Sequence, residues 1–297
     1  MTIAIVGASG NIGSKTAETL LQSGQTVRAI ARHADKLQPL AEKGAEIWTG
    51  DSADAAFLTK AFTGADAVFL IISTKMDAEN VRAYQDSLGE AQVLAIQQAG
   101  VKNVLLISSQ GAHTEDKTGI IAGLARQEKR LNDLEGVNVL SLRPTYFMEN
   151  LFNSIGLIKN MGINGSAIKK DIAMPLIATQ DIAEVAAQKL LHLPFSGKSH
   201  QDLLGARDYT HEEITQILGK TIGKPELPYV EFSYADQKAG LVQYGISDSV
   251  ADAFVGMYEG INIGRLAHGE RNTSSTTPTS LEWFAENVFK HAYQAAG

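Results

Sequence analysis

Thr2-Ile3-Ala4-Ile5-Val6-Gly7-Ala8-Ser9-Gly10-Asn11-Ile12-Gly13-Ser14-Lys15 is the stretch whose reading decides the fold. Residues Thr2 to Val6, rich in β-branched types and free of charge, predict a strand buried on both faces. Gly7, Gly10 and Gly13 follow at once. A chain leaving such a strand must turn sharply, let its backbone approach a phosphate without an intervening Cβ, and pack the next helix close to the sheet. The free amides and positive end of that helix then hold a pyrophosphate, with Ser9, Asn11 and Ile12 in the same turn. The spacing is G-x-x-G-x-x-G, one residue wider in its first gap than the usual G-x-G-x-x-G. A strand before it and a helix after it raise the motif above three ordinary loop glycines.

Outward from this turn, Ser14 to Gln22 continues as a helix that Ser23 and Gly24 stop, and Thr26 to Ala31 is a second strand. Where a carboxylate would hold the ribose hydroxyls of NAD, the chain has Arg32, with Lys36 four residues on. A carboxylate would repel a 2′-phosphate; Arg32 grips one through its planar fork and Lys36 adds a point charge. The pair points to NADP(H) over NAD(H), against the alternative of a solvated basic helix start.

Further strands are expected at Ala45 to Thr49, Ala67 to Ile72, Asn103 to Ile107 and Asn138 to Leu142, with helices at Ala53 to Phe62, 78 to 99 and about 120 to 134. Asp51 stands either to meet the adenine edge or to cap the helix that follows it. Ser73 and Ser108 end their strands at the carboxyl edge of the sheet, where ligands of open α/β folds bind. This alternation specifies an α/β fold with a Rossmann-type doubly wound parallel sheet.

Beyond Pro144 the rhythm changes. Tyr146 to Met161 reads as helical, Gly162 to Met174 as loop, and Thr179 to Leu193 as helix. A strand near residues 199–204 rejoins the sheet. Thr210 with Glu213, and Thr279 with Glu282, have capping-box spacing. The expected division is a dinucleotide-binding domain over 1–150 and a smaller, mostly helical C-terminal lobe over 151–297. Gly260 to Gly269 and Asn272 to Thr279 are candidates for a mobile cover.

A chain of 297 residues, 44% hydrophobic and 20% charged, can bury a sizeable core. Its net charge of −7 offers no basic footprint for direct nucleic-acid binding. Without cysteine there are no disulfides and no thiolate sites, and the histidines lack metal-ligand spacing, so no metal is expected. No signal-like segment or long apolar run is present, which makes the cytoplasm the expected compartment and a membrane partner unexpected.

The set Gly7 to Gly13, Val27 to Arg32, Gly50-Asp51, Ser108-Ser109 and Leu142-Arg143-Pro144-Thr145-Tyr146-Phe147-Met148-Glu149-Asn150, with the tail Thr277 to Leu281, resembles the NmrA-like branch of the atypical short-chain dehydrogenases. Within it, the chain is most similar to bacterial NADPH-dependent quinone reductases. The resemblance implies an NADPH site in the first lobe, Pro144 to Tyr146 near the nicotinamide, and a quinone or other small carbonyl-type acceptor between the lobes. Better-known short-chain dehydrogenases place a Tyr four residues before a Lys on the helix after the fifth strand, so that a phenol can protonate a carbonyl. Counting back from Glu128, those places hold Ile120 and Leu124. The quinone-reductase branch also lacks the pair, and a quinone needs it less, because aromatisation drives the reduction.

Gln110 and His113 lie on the loop after the fifth strand, and Tyr146 and Phe147 just after the sixth. These are the candidate substrate residues. His113 is either a proton donor or a solvated loop residue. Tyr146 either lines the pocket or packs between lobes. Two functions remain open: an enzyme moving hydride from NADPH to a quinone or similar small molecule, or a catalytically inactive NADP(H)-sensing regulator of the NmrA type. An epimerase or isoflavone-reductase-like activity is disfavoured by the missing Lys. A monomer or a homodimer is expected.

Overall fold

The computed structural model describes residues 1–266 and 269–296. The first half alternates as β1 (Thr2–Val6), α1 (Asn11–Gln22), β2 (Thr26–Ala31), α2 (Gln38–Ala41), β3 (Glu46–Thr49), α3 (Ala55–Phe62), β4 (Ala67–Ile71), α4 (Val81–Ala99), β5 (Asn103–Ile107), α5 (Ala122–Asn132) and β6 (Asn138–Pro144). The second half adds β7 (Tyr146–Phe147), α6 (Ile155–Met161), β8 (Asn164–Ser166), β9 (Met174–Ile177), α7 (Thr179–Leu191), β10 (Lys198–Leu203), β11 (Asp208–Tyr209), α8 (His211–Thr221), β12 (Tyr229–Glu231), α9 (Tyr234–Gln243), α10 (Asp248–Asn262), α11 (Leu281–Phe284) and α12 (Lys290–Ala295).

Alternation along β1 sets the layers. Ile3 and Ile5 face one side, with Ala17 and Leu20 of α1 and Ala186 and Leu190 of α7. Ala4 and Val6 face the other, with Phe62 of α3, Ile96 of α4 and Leu131 of α5. Both faces being covered, the central strands are mostly apolar, and all seven pair in parallel in the order β10-β6-β5-β4-β1-β2-β3. The chain builds outward from β1 to β3, then crosses to β4 on β1's other side, where Ile3 stands beside both Val27 and Ala67. In open α/β sheets such a reversal, here at the carboxyl ends of β1 and β4, is where ligands bind. The expected late strand does rejoin the sheet, as β10 alongside β6. A separate apolar cluster, including Met148, Ile158, Leu218, Phe284 and Phe289, forms the core beside the sheet. There Phe152 stacks on Phe284 and Phe289.

Several local expectations need correction. Helix α1 starts at Asn11, not Ser14, because Gly10 adopts an extended N-cap conformation and the Ser14 amide closes the first turn on the Gly10 carbonyl. Residues 146–161 are not one helix. Tyr146 and Phe147 pair with Leu176 and Ile177 of β9, a 3-10 turn follows over Met148–Ser154, and only then α6. Residues 162–174 are not all loop, since β8 pairs with β12. Asp54, not Asp51, caps α3; the Asp51 carboxylate accepts from the Ala53 amide in the preceding turn. Thr210 and Glu213 form the expected capping box. Thr279 does not cap: Ser280 receives the Trp283 amide, and Thr279 gives its N–H and O–H to the buried carboxylate of Asp181. Gly260 belongs to α10, and Ala267 and His268, in the middle of the expected cover, lie outside the described residues.

Candidate cofactor cleft and substrate cavity

The turn after β1 is held from within. Gly7 and Ala8 donate their amides to the Ile30 carbonyl, and the Gly10 amide donates to Gly7. Gly7 has φ +75°, and a Cβ there would lie 2.7 Å from Ile71. A Cβ on Gly13 would lie 2.3 Å from the Gly7 carbonyl oxygen, so the close seating of α1 under the turn excludes any side chain. At Gly10 the situation differs. Its φ is −89° and the nearest atom to an added Cβ is the Gly7 oxygen at 3.4 Å, an ordinary contact. Beyond the preference of an N-cap for Gly over Ala, no atom of the described chain bars a side chain there, and its outer side is exposed. No side chain caps α1, and the amides of Asn11, Ile12 and Gly13 come before any intrahelical acceptor. The cradle fits a diphosphate.

Ser9, Gly10 and Asn11 are exposed on this outer side, and Ile12 and Gly13 are buried behind them. Arg32 follows the end of β2, exposed, and forms no hydrogen bond or ion pair with the described residues. Lys36 is exposed on the 3-10 turn Asp35–Leu37. Asp51 and Ser73 are exposed just beyond β3 and β4. Thus Arg32, Lys36 and Asp51 stand on the β2–β3 side of the glycine turn, and Ser73 on the β4 side.

Beyond β4 a cavity of about 540 Å³ opens at the carboxyl ends of β4, β5 and β6. Ser108, Gln110, Tyr146, Phe147 and Asn150 line it from the strand ends. Ile120 and Leu124, at the positions where a Tyr and a Lys would stand in better-known relatives of the fold, form an apolar wall. Phe254, Met257 and Ile261 of α10, with Leu266, close the far side. Their spacing along the chain is the visible helical signal, though it marks equally well a helix face that packs on core. Pro144 is buried at the end of β6, where its carbonyl receives the Gln110 amide. Among the described residues no charged side chain lines the cavity.

His113 does not join this group. The turn in which Thr114 donates to the Gly111 carbonyl puts His113 at its tip, exposed and outside the cavity lining. Tyr146 lines the cavity, and burial, with the nearby Tyr258 and Tyr229, holds its phenol pKa well above the ordinary value. It is a neutral hydrogen-bonding group at physiological pH.

An ion pair that the sequence did not suggest joins Arg143 to Glu128 beside the cavity. Arg143 grips both oxygens of the buried Glu128 carboxylate, Nε to Oε1 at 2.9 Å and Nη2 to Oε2 at 2.5 Å, and Ser108 Oγ donates to Oε1 at 2.5 Å. The hydrogen bonding to Glu128 raises the Arg143 pKa further, against the opposing effect of burial. Among the described residues no group of His, Asp or Glu could hold a metal, and no helix is long and apolar enough to cross a membrane.

A parallel sheet reversed at β1, with a glycine turn and an uncapped helix start at the reversal, defines the Rossmann-type class of α/β proteins. The chain belongs to the NmrA-like family, whose model matches residues 1–262. It is 26% identical to the NAD(P)H azoreductase of Xenophilus azovorans, over 98% of each chain. It is 28% identical to quinone oxidoreductase 2 of Escherichia coli strain K12, over 96% of this chain and 97% of the relative. The crystal structure of the E. coli NADPH-dependent quinone oxidoreductase QOR2 with NADPH superimposes with a TM-score of 0.81 at 26% identity, covering 97% of this chain and 99% of that one.

Proposed function

We propose that the chain is an NADP(H)-dependent oxidoreductase that passes a hydride to a quinone or a similar flat, small acceptor. One juxtaposition carries this reading. A glycine turn whose outer face is bare at Gly10 and an uncharged cavity of about 540 Å³ share one edge of the sheet. The first-turn amides of α1 suit the diphosphate, and Arg32 with Lys36 suits the additional phosphate of NADP(H). The quinone oxidoreductase and azoreductase relatives support the acceptor class.

The bound reduced nicotinamide would supply the hydride. The chain orients and shields. Phe147, Ile120 and Leu124 offer flat and branched apolar surfaces to a ring, and α10 with Leu266 keeps bulk water from one side. Ile120 and Leu124 donate no proton, and the raised pKa of Tyr146 makes its phenol a poor acid, so solvent supplies the proton that completes the hydroquinone. The balance is one hydride and one proton per quinone, leaving NADP⁺.

Titration with NADPH and NADH, followed by loss of reduced-nicotinamide absorbance against a panel of quinones, tests the reading. Tight NADPH binding with quinone-dependent oxidation is the expected result; binding without oxidation for every acceptor favours a sensor instead. Arg32→Glu is expected to weaken NADPH binding about tenfold or more, the loss of one charge-assisted contact, and NADH much less. Equal losses would remove the NADP(H) preference.

A further inference from the structure

We infer that the acceptor site is built for a neutral ring carrying a hydrogen-bond donor beside its carbonyl, Ser108 Oγ accepting from the donor and Gln110 Nε2 donating to the carbonyl oxygen. This rests on the cavity being the acceptor site. The Arg143 guanidinium donates to both oxygens of Glu128, so towards Ser108 that carboxylate acts as an acceptor. The single hydrogen of Ser108 is committed to it. What Ser108 can offer the cavity is therefore its lone pairs, the reverse of a serine that donates to a substrate carbonyl. Two residues on, Gln110 is 6% exposed and lines the same cavity, and its Nε2 has no partner among the described residues. A buried amide donor left unpaired is costly, and a ligand oxygen removes that cost. Both residues are pinned by backbone bonds to β6, Ser108 N to the Leu142 carbonyl at 2.8 Å and Gln110 N to the Pro144 carbonyl at 2.9 Å. The loop that carries the acceptor and the donor is thus anchored to β6 at both residues. The uncharged lining disfavours a ligand that brings a net charge.

The probe pair is 2-amino-1,4-naphthoquinone and 2-methyl-1,4-naphthoquinone, similar in size, both neutral, one with a donor next to a carbonyl and one without. Dissociation constants are measured by titrating the full chain saturated with NADP⁺, so the result does not depend on turnover. The expected result is about tenfold tighter binding of the amino compound, one hydrogen bond's worth. Ser108→Ala brings the ratio close to one, Ser108→Thr restores it, and Gln110→Leu weakens both compounds about equally. If Ser108→Ala fails to fold, Ser108→Cys carries the same test, because a thiol is a poor acceptor. Equal binding of the two probes, a ratio that survives loss of the Ser108 hydroxyl, or binding of neither overturns the inference. Failure of the proposed function looks different: discriminating binding with no quinone-dependent oxidation of NADPH.

Discussion

At Gly7 and Gly13 the chain's own atoms exclude a side chain, whereas at Gly10 they do not. This difference is measurable. Gly13→Ala is expected to destabilise the protein, since its methyl would meet the Gly7 carbonyl oxygen, and to lose the cofactor with the fold. Gly10→Ala is expected to lower the unfolding free energy by only about 1 kcal/mol, the N-cap preference for Gly over Ala, while reducing NADPH affinity tenfold or more. Urea unfolding and a nucleotide titration of each variant separate the two. The glycine turn was legible because each of its jobs demands one residue type at a fixed distance from the strand. His113 was not: a side chain's direction at a loop tip depends on the turn geometry, here the Gly111–Thr114 bond, which composition does not encode.

Among elements, the buried strands of the sheet were readable from continuous apolar runs, and their boundaries fall within one or two residues of expectation. The error at 146–161 has a physical origin. Tyr146 and Phe147 are drawn into extended conformation by Leu176 and Ile177, thirty residues downstream, and a local period carries no trace of such a partner. The Thr279 error is similar, since Asp181 on α7 competes successfully for the hydroxyl that would cap α11. Helix α8 supports a pH prediction. His211, its first residue, is buried against Tyr229 with Nδ1 unpartnered among the described residues, and desolvation lowers its pKa to about 4. Between that value and the ordinary 6.5 the unfolded chain binds the extra proton. This group's effect is therefore absent above the higher value, and stability falls as pH drops towards the lower one. His211→Phe removes the titration. Relative to wild type it should gain about 2 kcal/mol of unfolding free energy on going from pH ~7.5 to pH ~5, as read by urea unfolding. A gap independent of pH would show that His211 titrates normally.

Over the whole molecule, the cavity is assembled from segments far apart in sequence: strand ends, the entry to α5, residues 172–175, and α10. Sequence reading reached the strand ends, which the sheet topology obliges to converge, and missed α10, whose placement depends on packing against a loop more than a hundred residues earlier. That packing is backbone to backbone. A Cβ on Gly119 would lie 2.1 Å from the Ala253 carbonyl oxygen, and one on Gly260 would lie 2.3 Å from that of Lys117. Gly260→Ala should therefore push α10 outward, lowering stability by about 1–3 kcal/mol and raising the quinone KM more than it lowers kcat. Thermal unfolding and steady-state kinetics on the same preparation check this; an unchanged KM would mean that α10 does not shape the site.

The sheet ends at β10, an outermost strand whose free side would otherwise be available to pair with another chain. Residues 272–279 run past its carboxyl end: the Leu204 N–H donates to the Ser275 carbonyl, the Gln201 side-chain Nε2 to that of Ser274, and the Thr277 N–H to that of Gly205. The strap thus occupies backbone groups just beyond the strand and the side chain of Gln201, while β10 itself begins with Lys198, Ser199 and His200, all exposed. Together they guard an otherwise adhesive border, so trimming the strap would favour aggregation through that strand even in molecules whose nucleotide cleft stays intact.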